Sequence, residues 1–240
     1  MKKLSSLAAA AALGVASQAP AQTFGDASAY VALMRTAVAG LPPIATSTIL
    51  GERQNGAAFS ARYGNVSGGE ITNSLNNFTA TAVLSGGGAS SVSLTAGAST
   101  PSRGSTALVL GIGGDTRLSD IPMSDSRNGM LLRVGLNGEF GYSKPTNATL
   151  LAGSVGLPLS LISRGGRNEM HVVPFLTPAF GFGDFNPENG DSGSGSKFML
   201  GGGVGIFNPT SSVALNLAFQ HVFVDGGQTE FGLGLVLGGR

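Results

Sequence analysis

The sequence predicts an all-β fold: a closed antiparallel up-and-down β-barrel that crosses a membrane with about ten strands, within a range of about eight to twelve. Three observations predict it: apolar residues recur at every second position, glycine is abundant, and charge is scarce. Of the 240 residues, 39 are glycine and 11% are Asp, Glu, Lys or Arg, whereas soluble domains average about 7% glycine and about 25% charged residues. The chain has too little charge to cover a water-exposed surface.

The composition also excludes several other classes of protein. Beyond the N-terminus, no stretch supplies the roughly 18 apolar residues that a membrane-spanning helix needs. The absence of cysteine excludes disulfides and thiolate metal ligands, and a formal net charge of +1 offers no basic surface for nucleic acid. We therefore expect no metal site, no cofactor and no nucleic acid partner.

The first 21 residues have the three regions of a secretory signal peptide. Lys2 and Lys3 precede an apolar run over 7–15, and Ala19-Pro20-Ala21 supplies the small residues of a cleavage site. We therefore expect residues 1–21 to direct export through the Sec pathway and to be removed.

Residues 22–55 form an N-terminal segment that differs from the rest of the chain. Between 26 and 39, apolar residues recur at steps of three and four, which predicts a short helix, and Pro42 follows it. We consider two places for this helix, the mouth of the barrel as a plug and the membrane surface. The alternative is that the segment is disordered. The barrel itself is predicted over 56–240.

Alternation between neighbouring residues is clearest near the end of the chain. One phase of the segment 213–220 is apolar and the other is small or polar: Val213, Leu215, Leu217 and Phe219 alternate with Ala214, Asn216, Ala218 and Gln220. The same pattern recurs in about ten segments, separated by connections rich in Gly, Ser, Asn and Asp. This period predicts strands whose two faces meet different surroundings.

The chemistry of the second face decides between two all-β architectures. A soluble sandwich needs Lys, Glu, Arg and Thr on the face that meets water. Here that face is mostly Gly, Ala, Ser, Asn and Thr, which suits a narrow interior, so the apolar face is predicted to meet lipid. A soluble secreted all-β domain remains the alternative.

The last predicted strand carries the most specific motif, Glu230-Phe-Gly232-Leu-Gly-Leu235-Val-Leu237. It resembles the final-strand signal of the small outer-membrane β-barrel proteins of bacteria, the OmpA/OmpX-like group. The resemblance covers residues 57–238, and the chain departs from it by ending on Gly238-Gly239-Arg240 after the motif. It implies residence in the outer membrane, contact with outer-membrane lipids, and recognition of Glu230, Gly232, Leu235 and Leu237 by the barrel assembly machinery.

A set of polar residues falls on the inward phase of the predicted strands. These candidates for the lumen are Arg62, Arg133, Asn137, Glu139, Asn216 and Gln220. We expect Arg62, Arg133 and Glu139 to neutralise one another, because charges in a narrow interior must be paired. A barrel of this size fills with its own side chains, which favours a closed interior over a pore.

With no catalytic constellation in the sequence, we expect a non-enzymatic outer-membrane barrel with a structural, adhesive or surface-interaction role. A narrow porin-like channel for small solutes is the alternative. The predicted connections include a long external segment at 184–196 and a short turn at 207–212. The segment 114–128 is too long for the turn expected there, which indicates a miscounted strand, such as one over 44–52, or an unusual turn.

Overall fold

The computed structural model describes residues 56–68, 75–86, 90–101, 106–123, 129–144, 148–163, 170–188, 192–208, 211, 213–223 and 228–238. The predicted signal peptide and the predicted N-terminal helix lie outside these residues. The described residues form one antiparallel sheet that closes on itself. Its strand segments are β1 (Gly56–Gly68), β2 (Leu75–Gly86), β3 (Ser90–Pro101), β4 (Ala107–Pro122), β5 (Met130–Lys144), β6 (Ala148–Gly156), β7 (Leu159–Ser163), β8 (His171–Pro187), β9 (Gly193–Phe207), β10 (Val213–Val222) and β11 (Gln228–Gly238).

Segments β6 and β7 are two parts of one strand, because both pair with β5 and with β8. They are separated by Leu157 and Pro158, where proline lacks the N–H that a ladder requires. The remaining backbone groups stay bonded across the break: Gly135 N–H donates to Pro158 O at 2.8 Å and Leu157 N–H to Pro178 O at 3.0 Å. The barrel therefore has ten strands, which confirms the predicted fold class and number.

The barrel closes through a ladder between β1 and β11, which runs from Ala58↔Gly238 to Gly68↔Gln228. Successive register partners lead from Gly56 once around the barrel and back to β1 at Gly68, 12 residues further along. Such a stagger goes with strands tilted by about 40°. The strand β1 itself has 13 residues and therefore 12 steps. At about 3.3 Å per residue and this tilt, it rises about 30 Å along the barrel axis, which is the thickness of a bilayer's hydrocarbon core.

The two faces of the barrel differ in the way that the sequence predicts. Large apolar side chains of the outer face are 37–65% exposed, and among them are Phe59, Leu94, Ile112, Leu217 and Leu235. The inner face buries Ser, Thr and Asn side chains together with apolar ones. An exposed apolar face around a buried polar one is the arrangement of a transmembrane barrel and the reverse of a soluble sandwich. No helix in the described part of the chain is both long and apolar enough to cross a bilayer.

Outer-face aromatic rings cover glycines and one another. The Phe182 ring fills the space beside Gly153, and the Phe219 ring fills the space beside Gly202. On neighbouring strands, Phe180, Phe198, Phe223 and His221 form a chain of rings with centroids 4.8–5.5 Å apart. His221 also shares a 2.9 Å hydrogen bond with Thr229 Oγ1. Aromatic rings of this kind are typical of the band where a barrel meets the membrane interface.

Two predicted connections are largely strand. β8 continues to Pro187 and β9 begins at Gly193, so the segment 184–196 is mainly a hairpin extension rather than a long loop. β4 continues to Pro122, which accounts for most of the excess length of 114–128. The strand considered over 44–52 lies outside the described residues. A register shift between Arg117 and Ser119 marks a β-bulge. The bulge interrupts the two-residue period, so the period does not identify the end of β4 as strand. The turn at 207–212 is as short as predicted.

Candidate functional site: the barrel interior

The interior is built in layers, and the first is apolar. We call the end of the barrel where β11 finishes and β1 begins the terminal rim, and the other end the opposite rim. Near the terminal rim, inward side chains from eight strand segments pack into one cluster, each at most 6% exposed. Its members are Ala58, Val83, Leu131, Ile162, Val173, Phe207, Ala214 and Val236. This apolar layer occupies the interior at one end of the barrel.

The middle of the interior holds a charge cluster of Arg62, Glu139 and Glu230. The Arg62 guanidinium on β1 interacts electrostatically with both carboxylates, which come from β5 and β11. Glu230 is completely buried. Opposite charges have to be paired in such a place, because burying an unpaired charge is strongly destabilising.

Hydrogen bonds extend the charge cluster into β2 and β3. Asn77 Nδ2 donates to Glu230 Oε1 at 3.3 Å, and Ser99 Oγ donates to Asn77 Oδ1 at 2.6 Å. Thr81 and Thr95 share a 2.9 Å bond on the same pair of strands, and Ser91 Oγ donates to Asp115. Short hydroxyl and amide side chains therefore link neighbouring strands across the inner face.

Glycines make the space that the buried carboxylates occupy. A Cβ at Gly64 would overlap the Glu230 carboxylate, and a Cβ at Gly113 would lie 3.2 Å from Glu139 Cγ. The inward glycines of these strands are thus part of the site, because they leave room for long charged side chains in a narrow lumen.

Gly64→Ala is expected to lower the free energy of unfolding by about 1–3 kcal/mol, the usual cost of overpacking a filled interior. The added methyl group has to displace the Glu230 carboxylate from its place beside Arg62 and Asn77. Gly138→Ala is the matched control, because a Cβ there meets only Ser154 O at 3.8 Å. Refolding into phospholipid vesicles at graded urea concentrations measures both. Equal stability of the two variants would contradict the assigned role of Gly64.

The other interior candidates lie in the same part of the barrel. Asn216 and Gln220 are buried on the inner face of β10. Asn216 Cβ and Arg62 Cγ lie on either side of Gly234, while Asn137 Oδ1 lies beside Gly156 next to Thr177. The structure thus brings Arg62, Glu139, Asn216 and Asn137 into one interior.

Arg133 lies apart from this group, which corrects the predicted three-way pairing with Arg62 and Glu139. Its guanidinium bonds both carboxylate oxygens of Asp120, with Nε–Oδ1 at 2.8 Å and Nη2–Oδ2 at 3.0 Å. Arg117 adds a 3.5 Å contact to the same carboxylate. The β-bulge brings Asp120 onto the inner face opposite Arg133, a change of phase that simple alternation cannot show.

Glu230 is the interior residue that sequence reasoning placed only in the assembly motif. The motif residues Leu235 and Leu237 lie on the outer face, whereas Glu230 points into the barrel and joins the charge cluster. The available signal was its phase: Glu230 stands one residue before outward Phe231, in step with inward Val236. A carboxylate that points into the barrel needs a positively charged partner. Arg62 points into the barrel from β1, the strand that pairs with β11.

The fold and the interior together define the class: the chain is a small transmembrane β-barrel of the outer-membrane type, with a lipid-facing apolar surface and an interior lined by largely buried side chains. No protein-family model matches the sequence, and no curated protein matches it significantly.

Solved structures similar to the chain include three outer-membrane proteins. The outer membrane enzyme PagL shares 12% identity at a TM-score of 0.38, covering 75% of this chain and 98% of that one. Ail, the attachment invasion locus protein of Yersinia pestis, shares 15% identity at a TM-score of 0.34, with 77% and 97% covered. The N-terminal β-barrel domain of Pseudomonas aeruginosa OprF shares 9% identity at 0.31, with 78% and 100% covered. Because these identities and TM-scores are low, the fold is assigned from the strand pairing of the chain itself.

Proposed function

We propose that the protein is a non-enzymatic integral outer-membrane β-barrel whose role is structural or adhesive, exerted through the parts that project from the membrane. The barrel acts as an anchor in outer-membrane lipid, reached by Sec export and inserted by the barrel assembly machinery. In this arrangement the terminal rim faces the periplasm and the opposite rim faces outward.

The burial of many interior side chains is the observation that supports an anchor over a channel. Interior side chains of a water-filled pore are exposed to solvent, but here the apolar layer and residues such as Glu230, Asn77 and Thr81 are at most 6% exposed. Two barriers of different chemistry lie in series, the apolar layer and the charge cluster. A hydrated ion would have to pass both.

Recording from planar bilayers tests this proposal against the porin-like alternative. We expect the purified, refolded protein to give no steady conductance steps. Insertion is verified separately by the heat-dependent shift of the folded barrel on SDS gels, so silence cannot be mistaken for failed insertion. Regular unitary steps from inserted protein would overturn the anchor proposal and establish the channel.

The β8–β9 hairpin is the part best placed to meet a partner outside the membrane. At the opposite rim, β9 continues from Lys197 back to Gly193 beyond its last pair with β10, Met199↔Val222. The hairpin tip carries exposed Asn186 and Glu188, and Asn186 Nδ2 donates to Asp184 Oδ2 at 3.2 Å. Polar and acidic groups on a projecting hairpin are suited to contacts with a charged or hydroxylated surface ligand.

Labelling of single cysteines tests the proposed orientation, since the native chain has none. Lys144→Cys, at the opposite rim, is expected to react with a membrane-impermeant maleimide on intact cells. Met123→Cys, exposed at the terminal rim, is the matched control and should react only after the outer membrane is permeabilised. The reverse labelling pattern would show that the barrel has the opposite orientation in the membrane, which would exclude the β8–β9 hairpin as a surface contact.

A further inference from the structure

Three interruptions of regular strand geometry occur side by side in one row across the barrel wall. The β-bulge of β4 begins at Arg117, whose register partner on β5 is Gly135. Gly135 N–H in turn bonds Pro158 O, at the break between β6 and β7. A bulge, a glycine and a proline each weaken a strand locally. We call Arg117, Gly135 and Pro158 the hinge row.

Beyond the hinge row, toward the terminal rim, three short strand segments form a flap. The flap consists of Leu118–Met123, Met130–Val134 and Leu159–Ser163, and its strands pair with one another through ladders such as Ile121↔Leu132 and Leu131↔Ile162. On the β3 side, the β3–β4 pairs in the described residues end at Ser90↔Thr116, just before the hinge row. This long edge of the flap therefore extends beyond the described start of β3 and has no strand partner among the described residues.

The other edge of the flap is joined to β8 by only two register pairs, Leu159↔Leu176 and Ser160↔Phe175. Prolines explain why this ladder stops. Pro178 O accepts a hydrogen bond from Leu157 N–H. The N and O of one strand residue point to the same side, so the nitrogen of Pro178, which has no hydrogen, also faces the strand formed by β6 and β7. Residues two apart in a strand face the same neighbour, so Pro174 also offers no donor to β7.

The inner face of the flap contributes to the apolar layer at the terminal mouth of the lumen. Leu131 and Ile162 belong to the flap, and they pack in the apolar layer against Val173, Phe207 and other residues of the barrel body. The outer face carries Ile121 and Met123, which are among the exposed apolar side chains. Both faces of the flap are therefore compatible with the hydrocarbon-rich edge of a bilayer.

We propose that the flap is a hinged lid, which swings about Arg117, Gly135 and Pro158 and withdraws Leu131 and Ile162 from the apolar layer. Among the described residues, the movement breaks the two register pairs between β7 and β8 and keeps the other strand pairs intact. It opens an apolar cavity that is accessible from the terminal rim only, because the charge cluster of Arg62, Glu139 and Glu230 still lies across the lumen behind it. The lid thus regulates access to the interior from the terminal side without creating a channel.

Distances between nitroxide labels test the lid in lipid nanodiscs with the full chain. The flap pair is Ile121→Cys with Leu237→Cys, and the matched control is Leu110→Cys with Leu237→Cys. All three positions are lipid-facing and 43–48% exposed, and Leu110 lies on the same strand as Ile121 on the other side of the hinge row. We expect the flap pair to show a second, longer component in pulsed double-resonance distance distributions, and the control pair to show a single narrow one.

Pro158→Val in the flap-pair background tests the hinge itself. Valine restores an N–H that can donate to Gly135 O, so the longer component should shrink relative to the parent. A flap pair as narrow as the control would overturn the lid. A longer component that Pro158→Val leaves unchanged would overturn the assigned hinge row. Neither result depends on conductance, so the lid can fail while the anchor proposal stands.

Discussion

Replacing Leu217 by Arg is expected to lower the free energy of unfolding in a bilayer by about 2–4 kcal/mol. Leu217 lies in the middle of β10 on the outer face and is 51% exposed. In the folded barrel its side chain meets hydrocarbon, where a guanidinium can reach water only by thinning the bilayer around it. Equilibrium refolding into phospholipid vesicles, with the folded fraction read from unheated gel samples, measures the loss.

Two controls separate lipid exposure from a general intolerance of β10. Val213→Arg places the same charge on the same face at the start of the strand, and near the interface its cost should fall to about 0–1 kcal/mol. Ala218→Ser, on the inner face beside Phe175, should be mild because small polar groups already line that face. Equal losses at positions 213 and 217 would remove the depth dependence and with it the lipid-facing assignment of β10.

Replacing Arg62 by Met is expected to cost about 3–5 kcal/mol, the usual loss when one partner of a buried ion pair is removed. Methionine fills much of the space of the arginine stem but supplies no charge to Glu139 and Glu230. The two carboxylates are then left without the guanidinium that balances them. The same vesicle refolding assay measures the loss.

A double-mutant cycle with Glu139→Gln gives the control for this variant. Gln keeps the size of the side chain and removes its charge, so the Arg62→Met loss should be smaller in the Glu139→Gln background. Coupling energies between groups in contact are typically about 0.5–3 kcal/mol. Strict additivity of the two changes would show that Arg62 and Glu139 do not interact in the interior.

The outer surface of this barrel is readable from sequence because it follows one rule, the two-residue period. Leu215, Leu217, Leu233 and Leu235 all have the orientation that the period predicts. A lipid environment makes the rule strict, since every outward position in the bilayer must be apolar, whatever strand it belongs to. For the same reason the sequence predicts about ten strands without knowledge of their pairing.

The interior follows no such local rule, because its contacts join residues far apart in the chain. Asn77 and Glu230 are separated by 153 residues, and only the closure of β11 on β1 brings them together. Arg133 shows a second limit: its partner Asp120 was hidden because one extra residue at the β-bulge reverses the phase of everything beyond it. The inward residue types were predictable, but their partners depend on register.

The ladder between β1 and β11 also determines when the barrel can be completed. Ala58 pairs with Gly238 across almost the whole described chain, so this contact has a sequence separation that makes closure slow compared with the formation of neighbouring hairpins. Until β11 arrives, β1 and β10 each present an unpaired strand edge, which hydrocarbon cannot satisfy. The hairpins therefore have to be held together outside the lipid, or at its surface, until the last strand is available. Completion of the barrel and its burial in the bilayer then become a single event, triggered by the strand that also carries Glu230.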